Sequence, residues 1–335
     1  MRIRRRDFLH AAGAATAALV LPACGDEDEP GPIERQIARS SIGLDYASYY
    51  APVQDVHRLV LERARRRGAR VTFSHDEAGA AAQRRTLEAW IGARGGFRAL
   101  VVAPFERGSV EPVAGQALED GIAVVSYLVP LRNETTGISV NPRVAGSLLA
   151  DEAAAWAAGR PASAILVRPP EKPATADQFA VLAPEVERTL LRRLRGRAPG
   201  IEAVAATQAQ SVDDAQAAVA RALADYPAAS VVLGWNDSTA VGAAAALRAA
   251  GREQRAFAGG VAMAGVAGKE NLDALDDDAV AIAFVAPRLR ELAGKLVDVP
   301  LALLRDRSPV SGEVVPVALK ASSSQLADYR SDYTL

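Results

Sequence analysis

The chain has 335 residues, of which 50% are hydrophobic, and its formal net charge is −1. A chain of this length is too long for one ordinary hydrophobic core and is long enough to form two lobes. The balanced charge argues against electrostatic binding of nucleic acid or of an anionic membrane surface as the main function.

The first 24 residues have the pattern of a bacterial export signal. Three arginines at positions 4–6 precede an uncharged stretch at 11–23 that is too short to span a membrane. Arg-Arg-Asp-Phe-Leu at 5–9 resembles the twin-arginine export motif. Leu-Pro-Ala-Cys resembles a lipobox, which implies lipidation of Cys24, the only cysteine of the chain. The acidic, Pro- and Gly-rich residues 25–38 are predicted to form a flexible tether.

Short apolar runs alternate with amphipathic segments from Ser41 onward. Most of the runs are continuously apolar, as expected of parallel strands that are buried on both faces. The predicted strands lie at 42–44, 70–73, 99–103, 123–127, 164–167, 202–205, 230–233, 256–259, 280–285 and 314–319.

The segments between these runs are predicted to be helices. Leucines at 289, 292, 296 and 303 follow the three-four spacing of a buried helical face. For the helix at 239–250, Asp237 or Ser238 is the predicted N-cap and Gly251 the stop. This alternation predicts an α/β fold, and a break near 132–137 predicts two doubly wound parallel-sheet lobes.

Candidate ligand-binding residues follow the predicted strands, because doubly wound sheets bind ligands beyond the carboxyl ends of their strands. If the lobes face each other, these ends converge on one cleft. The set is rich in aromatic side chains, although aromatic residues make up only 5% of the chain. It comprises Asp45, Tyr46, Tyr50, Phe105, Tyr127, Arg168, Trp235 and Asn236.

Structural roles compete with ligand binding for these candidates, and the sequence leaves both open. Tyr127 and Trp235 either line the cleft or pack in the interior, and Asn236 either binds ligand or serves a turn or cap. Asp45 and Tyr50 either face the cleft or lie in solvated loops. Arg168 either pairs with an anionic ligand group or forms a salt bridge with Glu171.

The motifs of common enzyme classes are absent from the sequence. It has three histidines and no His-Glu-x-x-His or Cys-x-x-Cys spacing, so no metal site is predicted. It has no Gly-x-x-x-x-Gly-Lys phosphate loop and no Gly-x-Ser-x-Gly elbow. We therefore predict a chain that needs no cofactor and is not an enzyme.

One segment, at 231–243, reads Val-Val-Leu-Gly-Trp-Asn-Asp-Ser-Thr-Ala-Val-Gly-Ala, which is a strand, an Asn-Asp pair and a helix that opens on small residues. This segment is the most specific of several that resemble the type I periplasmic binding proteins, close to the ribose-binding and LacI-like group. The resemblance implies two Rossmann-like lobes joined by three crossovers, near Thr136, within 261–285 and near Gly312. It implies an N-terminal lobe of residues 39–136 and 286–312 and a C-terminal lobe of 137–285 and 313–335.

The resemblance also implies a function and a location. It suggests a periplasmic, lipid-anchored protein that captures a small sugar-like or related polar or aromatic solute and delivers it to an ABC permease. The alternative is a sensory module that feeds a membrane histidine kinase or chemoreceptor. Asn236 matches a family Asn that bonds sugar hydroxyls. The other four polar anchors of the family are missing or moved, because Tyr127, Pro173, Val261 and Val285 stand at or beside their positions.

Overall fold

The computed structural model describes residues 41–46, 51–75, 79–92, 96–171, 182–262, 269–276, 279–306, 310–321 and 323–333. These residues belong to one compact unit. The predicted signal with Cys24, the tether and Tyr50 lie outside the described residues. No helix within the described ranges combines the length and apolar character that a membrane crossing requires.

Twelve strands in the described part of the chain form two six-stranded sheets. Sheet 1 has the order β11-β5-β4-β3-β1-β2, and all of its strands are parallel. Its strands are β1 (Ser41–Tyr46), β2 (Arg70–His75), β3 (Ala99–Ala103), β4 (Ala123–Tyr127), β5 (Thr136–Val140) and β11 (Gly312–Val314).

Sheet 2 repeats the strand order of sheet 1. The order is β12-β10-β9-β8-β6-β7, and all neighbours are parallel except β12, which runs antiparallel to β10. Its strands are β6 (Ala162–Arg168), β7 (Ile201–Gln208), β8 (Ala229–Gly234), β9 (Phe257–Val261), β10 (Ala281–Pro287) and β12 (Pro316–Leu319).

Helices alternate with the strands along the chain, which confirms the predicted α/β class. A short 3₁₀ segment, Ala274–Asp276, follows the eighth helix. The helices are α1 (Ala51–Arg66), α2 (Ala80–Gly92), α3 (Arg107–Glu119), α4 (Pro142–Ala157), α5 (Ala183–Arg197), α6 (Val212–Asp225), α7 (Asp237–Ala249), α8 (Lys269–Asp273), α9 (Leu289–Asp306) and α10 (Ser324–Tyr333).

Alternate residues of the sheet 1 strands pack on opposite faces, as the two-residue period of a strand requires. On one face, Leu44 and Val101 share a buried cluster with apolar residues of α1 and α9. On the other face, Leu100 and Val102 pack with apolar residues of α2 and α3. The predicted apolar face of α9 is confirmed, since Leu289, Leu292, Leu296, Val299 and Leu303 are all buried.

The chain passes between the two sheets at Asn141, Arg288 and Val315. We call sheet 1 with α1, α2, α3 and α9 the first lobe, and sheet 2 with helices α4 to α8 the second lobe. The first and third passages lie together at one place, because the backbone N–H of Asn141 donates to the carbonyl of Val314, next to Val315, at 3.2 Å. The Asn141 side chain also donates to Glu313 at 2.7 Å.

The observed passages differ from the predicted lobe boundaries. Residues 137–140 were assigned to the second lobe, but they lie in β5 of sheet 1. The second passage was expected within 261–285, but β10 continues to Pro287 because its last residues pair with β12. The single predicted strand at 314–319 is divided at Val315 between the two sheets.

Candidate functional site

The chain order of each sheet reverses at one position, where ligands of doubly wound proteins bind. In sheet 1 this switch point lies between β1 and β3, and in sheet 2 it lies between β6 and β8. Asp45, Tyr46 and Phe105 lie at the carboxyl edge of the first switch point. Arg168, Trp235 and Asn236 lie at the second. Six of the eight predicted candidates therefore fall at two switch points, one in each lobe.

Asp45 is fully buried and belongs to a hydrogen-bond network centred on Gln83 of α2. The Gln83 amide group donates to the Asp45 carboxylate and, at 2.9 Å, to the carbonyl of Ala103. The backbone N–H of Phe105 donates to the Gln83 amide oxygen at 2.6 Å. This network ties the ends of β1 and β3 to α2, so the structure places Asp45 in the interior rather than in a solvated loop.

Tyr46 and Phe105 lie beside this network. Tyr46 ends β1, in register with His75 of β2 and Ala103 of β3. Phe105 is half-buried, and its backbone is fixed by Gln83. Its partly exposed ring is therefore attached to a rigid segment of the edge.

Tyr127 packs inside the first lobe. It shares the buried cluster of α1 and α9 with Val125, two residues earlier in β4, and only 4% of it is exposed. Burial raises the pKa of the Tyr127 phenol, and the nearby Tyr329 of α10 raises it further. Of its two predicted roles, the structure favours interior packing.

Arg168 is an exposed residue at the end of β6, and it is held by α5. Its guanidinium donates to both carboxylate oxygens of Glu187, at 2.8 and 2.7 Å. This pair, and not the pair with Glu171 that the sequence suggested, is the ion pair of Arg168. The hydrogen bond to Glu187 holds the pKa of Arg168 above its usual value.

Trp235 is anchored by both of its N–H groups. The indole N–H donates to the carbonyl of Ala209 at 2.8 Å, and the backbone N–H donates to the carbonyl of Val167 at 3.0 Å. Only 6% of the residue is exposed. Trp235 therefore joins the ends of β6, β7 and β8 within the second lobe.

Asn236 is the N-cap of α7, where the sequence predicted Asp237 or Ser238. Its side-chain oxygen accepts from the Thr239 N–H at 2.7 Å, and the Thr239 hydroxyl completes a capping box. A side chain at Gly260 would lie 2.2 Å from the Asn236 carbonyl oxygen, so a glycine there lets this turn approach β9. The Asn236 amide group donates to the carbonyl of Gln210 at 3.4 Å.

The structure adds edge residues that sequence reasoning missed. Gln83 lies four residues before the buried Leu87, and a polar residue on the apolar face of a helix is a signal that could have identified it. Asp237 is buried and accepts from the Asn271 amide at 2.6 Å, which ties α7 to α8. No local pattern indicates this contact, because α8 lies far along the chain.

Among the described residues, no group of three or more His, Cys, Asp or Glu side chains is placed to hold a metal ion. The polar groups at the switch points are instead amides, one buried carboxylate and an ion-paired guanidinium. Such groups can form directional hydrogen bonds with a small polar molecule.

Comparisons with known proteins agree with this arrangement. A family model described as a periplasmic binding protein domain matches residues 51–308. Among curated proteins, none matches the sequence significantly.

Solved structures share the fold at low sequence identity. A solute-binding protein of an ABC transporter from Actinobacillus succinogenes, with bound D-allose, is 15% identical; the match covers 87% of this chain and 99% of that one, with a TM-score of 0.70. A periplasmic ribose ABC transporter protein from Conexibacter woesei is 15% identical; the match covers 86% of this chain and 94% of that one, with a TM-score of 0.72. The fructose-binding periplasmic domain of a hybrid two-component system is 17% identical; the match covers 88% of this chain and 95% of that one, with a TM-score of 0.69.

These matches confirm the predicted fold and protein class. The two lobes and three passages are those of the type I periplasmic binding protein fold. The matched family and structures are solute-binding proteins rather than enzymes, in agreement with the prediction from the sequence motifs.

Proposed function

Because this chain belongs to the periplasmic binding protein domain family, we propose that it captures a small, sugar-like polar solute between its two lobes. The loaded protein then delivers this solute to an ABC importer. Closure of the lobes around the solute presents a surface that the permease distinguishes from the empty form. Membership of a periplasmic binding protein family supports an extracytoplasmic location for this protein.

One observation supports the capture site above all others: each lobe brings polar and aromatic candidates to its own switch point. In the first lobe, Phe105 offers a partly exposed ring on a fixed backbone. In the second lobe, Asn236 is rigidly held, and its amide donates one hydrogen to Gln210. Among the residues that the structure describes, the Asn236 amide makes no other hydrogen bond, so its second hydrogen is the proposed donor to a solute hydroxyl.

The state of the charged side chains favours a neutral solute. Arg168 already makes a two-pronged ion pair with Glu187, so an anionic solute would have to compete with that carboxylate. An aromatic ring such as that of Phe105 stacks on the apolar face of a sugar. D-allose, ribose and fructose, named for the structural neighbours, are neutral and hydroxylated.

A ligand panel tests the proposal on the mature body of the protein. We expect one or more neutral aldoses, ketoses or polyols to raise the melting temperature in a saturable manner, because a ligand bound only by the folded state stabilises it. Nucleosides and sugar phosphates serve as chemical contrasts. A well-folded protein that responds to none of the neutral sugars and polyols would contradict the proposed solute class.

A sensory role is the second candidate, because one structural neighbour is the periplasmic domain of a hybrid two-component system. Both roles require solute binding, so the partner distinguishes them. Crosslinking in membranes of the native host, with the solute present, should recover an ABC permease if the protein serves transport. Recovery of a histidine kinase or chemoreceptor in its place would assign the protein to sensing.

Membrane attachment through Cys24 and export by the twin-arginine route complete the proposal. A lipid anchor on Cys24, followed by the acidic tether at 25–38, would keep the binding body close to its permease. Cys24→Ala should move the exported protein from the membrane fraction to the soluble periplasmic fraction. Replacement of both Arg5 and Arg6 by Lys should leave the precursor in the cytoplasm, and unchanged export would contradict the twin-arginine route.

A further inference from the structure

Helix α10, for which the sequence predicted no element, contacts both lobes. It packs beside β12 of the second lobe, and its residues Leu326 and Tyr329 are buried. Its last turn reaches α1 and α9 of the first lobe. One helix of ten residues thus joins parts of the molecule that the fold otherwise connects through the passages at Asn141, Arg288 and Val315.

Arg330 attaches α10 to the second lobe. Its guanidinium donates to the two carboxylate oxygens of Asp276, at 3.0 and 2.7 Å. It also donates to the backbone carbonyl of Leu272 in α8 at 2.9 Å. The contact therefore involves the α8 segment that follows β9.

Asp332 attaches the same helix to the first lobe. Its carboxylate pairs with Arg290 of α9 at 2.5 Å, and its backbone carbonyl accepts from Arg58 of α1. Asp332 is largely buried, with 8% of its surface exposed. Because Arg330 and Asp332 lie two residues apart in one short helix, displacement of one lobe relative to the other strains one of the two attachments.

The attachment to the first lobe lies next to a passage between the sheets. Arg290 follows the passage residue Arg288 by two positions, and both line a cavity of about 480 Å³ together with Tyr329 and Asp332 of α10. Tyr329 also lies near Tyr127, so movement of α10 reaches the end of β4.

We propose that α10 is an interlobe latch: Asp332 holds α1 and α9 while Arg330 holds the second lobe, and the helix limits the separation of the lobes before solute binds. The inference rests on the proposed function, since it concerns the lobe movement that capture requires. The limit that α10 sets on lobe separation is therefore already present in the empty protein, before solute binds.

Interlobe distances in the solute-free protein test the latch. Cys24 is the only cysteine, so Cys24→Ser gives a background in which Glu119→Cys and Asp225→Cys accept a fluorophore pair. Both positions are exposed ends of helices, α3 in the first lobe and α6 in the second. The variants are Arg290→Gln, Asp332→Asn and the two combined. Arg193→Gln is the matched control, because it breaks an Arg–Asp pair that lies within the second lobe.

We expect the distance distribution to broaden in both single variants, with the population of the latched state reduced about two- to fivefold. The double variant should be no broader than either single variant, because both remove the same contact. Arg193→Gln should leave the distribution unchanged. As a second readout, amide hydrogen exchange in residues 324–333 should accelerate in the Arg290 and Asp332 variants only.

Unchanged distances and unchanged exchange in folded Arg290→Gln protein would overturn the latch. This outcome is distinguishable from failure of the proposed function, because no solute is needed for the measurement. If the latch variants respond while the full ligand panel gives no stabilisation, the latch stands and the proposed solute class fails. If the panel succeeds and the variants do not respond, solute capture stands without a latch.

Discussion

At the switch point of sheet 1, the buried amide of Gln83 connects Asp45, Ala103 and Phe105, whereas the switch point of sheet 2 is built from an indole and a helix cap. The two sheets have the same strand order, so topology does not account for the difference. The first edge depends on buried polar side chains, and the second depends on close backbone packing around Asn236. The two edges should therefore respond differently to the same kind of substitution.

Removal of the Gln83 amide should have the largest effect. Gln83→Leu deletes three hydrogen bonds, two of them buried, and leaves the Asp45 carboxylate without its amide donor, so we expect a loss of about 3 kcal/mol in the free energy of unfolding. Denaturant unfolding measures it. Gln116→Leu, on the exposed side of α3, is the control and should change stability by less than about 0.5 kcal/mol. Equal stability losses in the two variants would contradict a stabilising role for the Gln83 hydrogen bonds.

Alanine substitutions of glycines in the two sheets should reduce stability by different amounts, because the added methyl groups meet different atoms. Gly260→Ala places a methyl group 2.2 Å from the Asn236 carbonyl oxygen, and we expect a loss of about 2 kcal/mol because backbone must move. Gly43→Ala in β1 meets the ring of Trp90 at 2.6 Å, and this partly exposed ring can shift, so a loss of about 1 kcal/mol is expected. Gly294→Ala in α9 meets nothing within 4 Å and should stabilise the protein slightly. Thermal unfolding of the three variants would refute this explanation if Gly43→Ala were the most damaging.

Asn236 should show separate effects on stability and on solute affinity. Asn236→Asp keeps an oxygen that caps α7 and loses the amide donor, whereas Asn236→Ala loses both. We expect only the Ala variant to lose about 1 kcal/mol of stability, while both variants weaken solute binding about tenfold or more. Unfolding and calorimetric titration measure the two quantities. Wild-type affinity in the Asp variant would remove Asn236 from the proposed site.

The smallest effects on stability are expected at a surface ion-pair cluster that occurs once in each lobe, where one Asp pairs with two Arg. Asp298 pairs with Arg63 and Arg67 in the first lobe, and Asp151 pairs with Arg193 and Arg197 in the second. The hydrogen bond from Arg193 holds the pKa of Asp151 below its usual value. Its contribution is therefore present above the unfolded-state pKa and is lost as the pH falls through the lower folded-state pKa.

Stability measured against pH tests this point. Asp151→Asn should cost less than about 1 kcal/mol near neutral pH, because the pair is partly exposed, and the cost should vanish as the pH falls through the lowered folded-state pKa of Asp151. Glu202→Gln, at an exposed position of β7, is a control for the loss of one negative charge. A cost that grows as the pH falls would have the wrong sign and would contradict the assignment.

The sequence predicted the elements better than it predicted their contacts. The bounds of β3 and β4 match the predicted runs, because a continuous apolar run is itself the cause of a strand buried on both faces. The partner of Asp45 is 38 residues away, and the partner of Arg168 is 19 residues away on the next helix. Such contacts depend on how helices sit on a sheet, which local periodicity does not specify.

The same reasoning predicted where the candidate residues lie along the strands, but not the contacts of their side chains. The position of the strand ends was predictable, so six of the candidates fall at the two switch points. The direction in which a side chain points from a strand end was not predictable from the sequence. The sequence therefore left open whether Tyr127 lines the cleft, and the structure shows that it is buried in the interior. The third passage was predicted near Gly312 and lies at Val315, inside the apolar run that was predicted as a single strand at 314–319.

The most direct test of solute capture is the interlobe distance of the labelled wild-type protein during titration with a solute selected from the ligand panel. We expect a saturable decrease in the distance between positions 119 and 225, with a midpoint equal to the dissociation constant from calorimetry. A solute that binds with that constant while the distance stays the same would contradict capture between the two lobes.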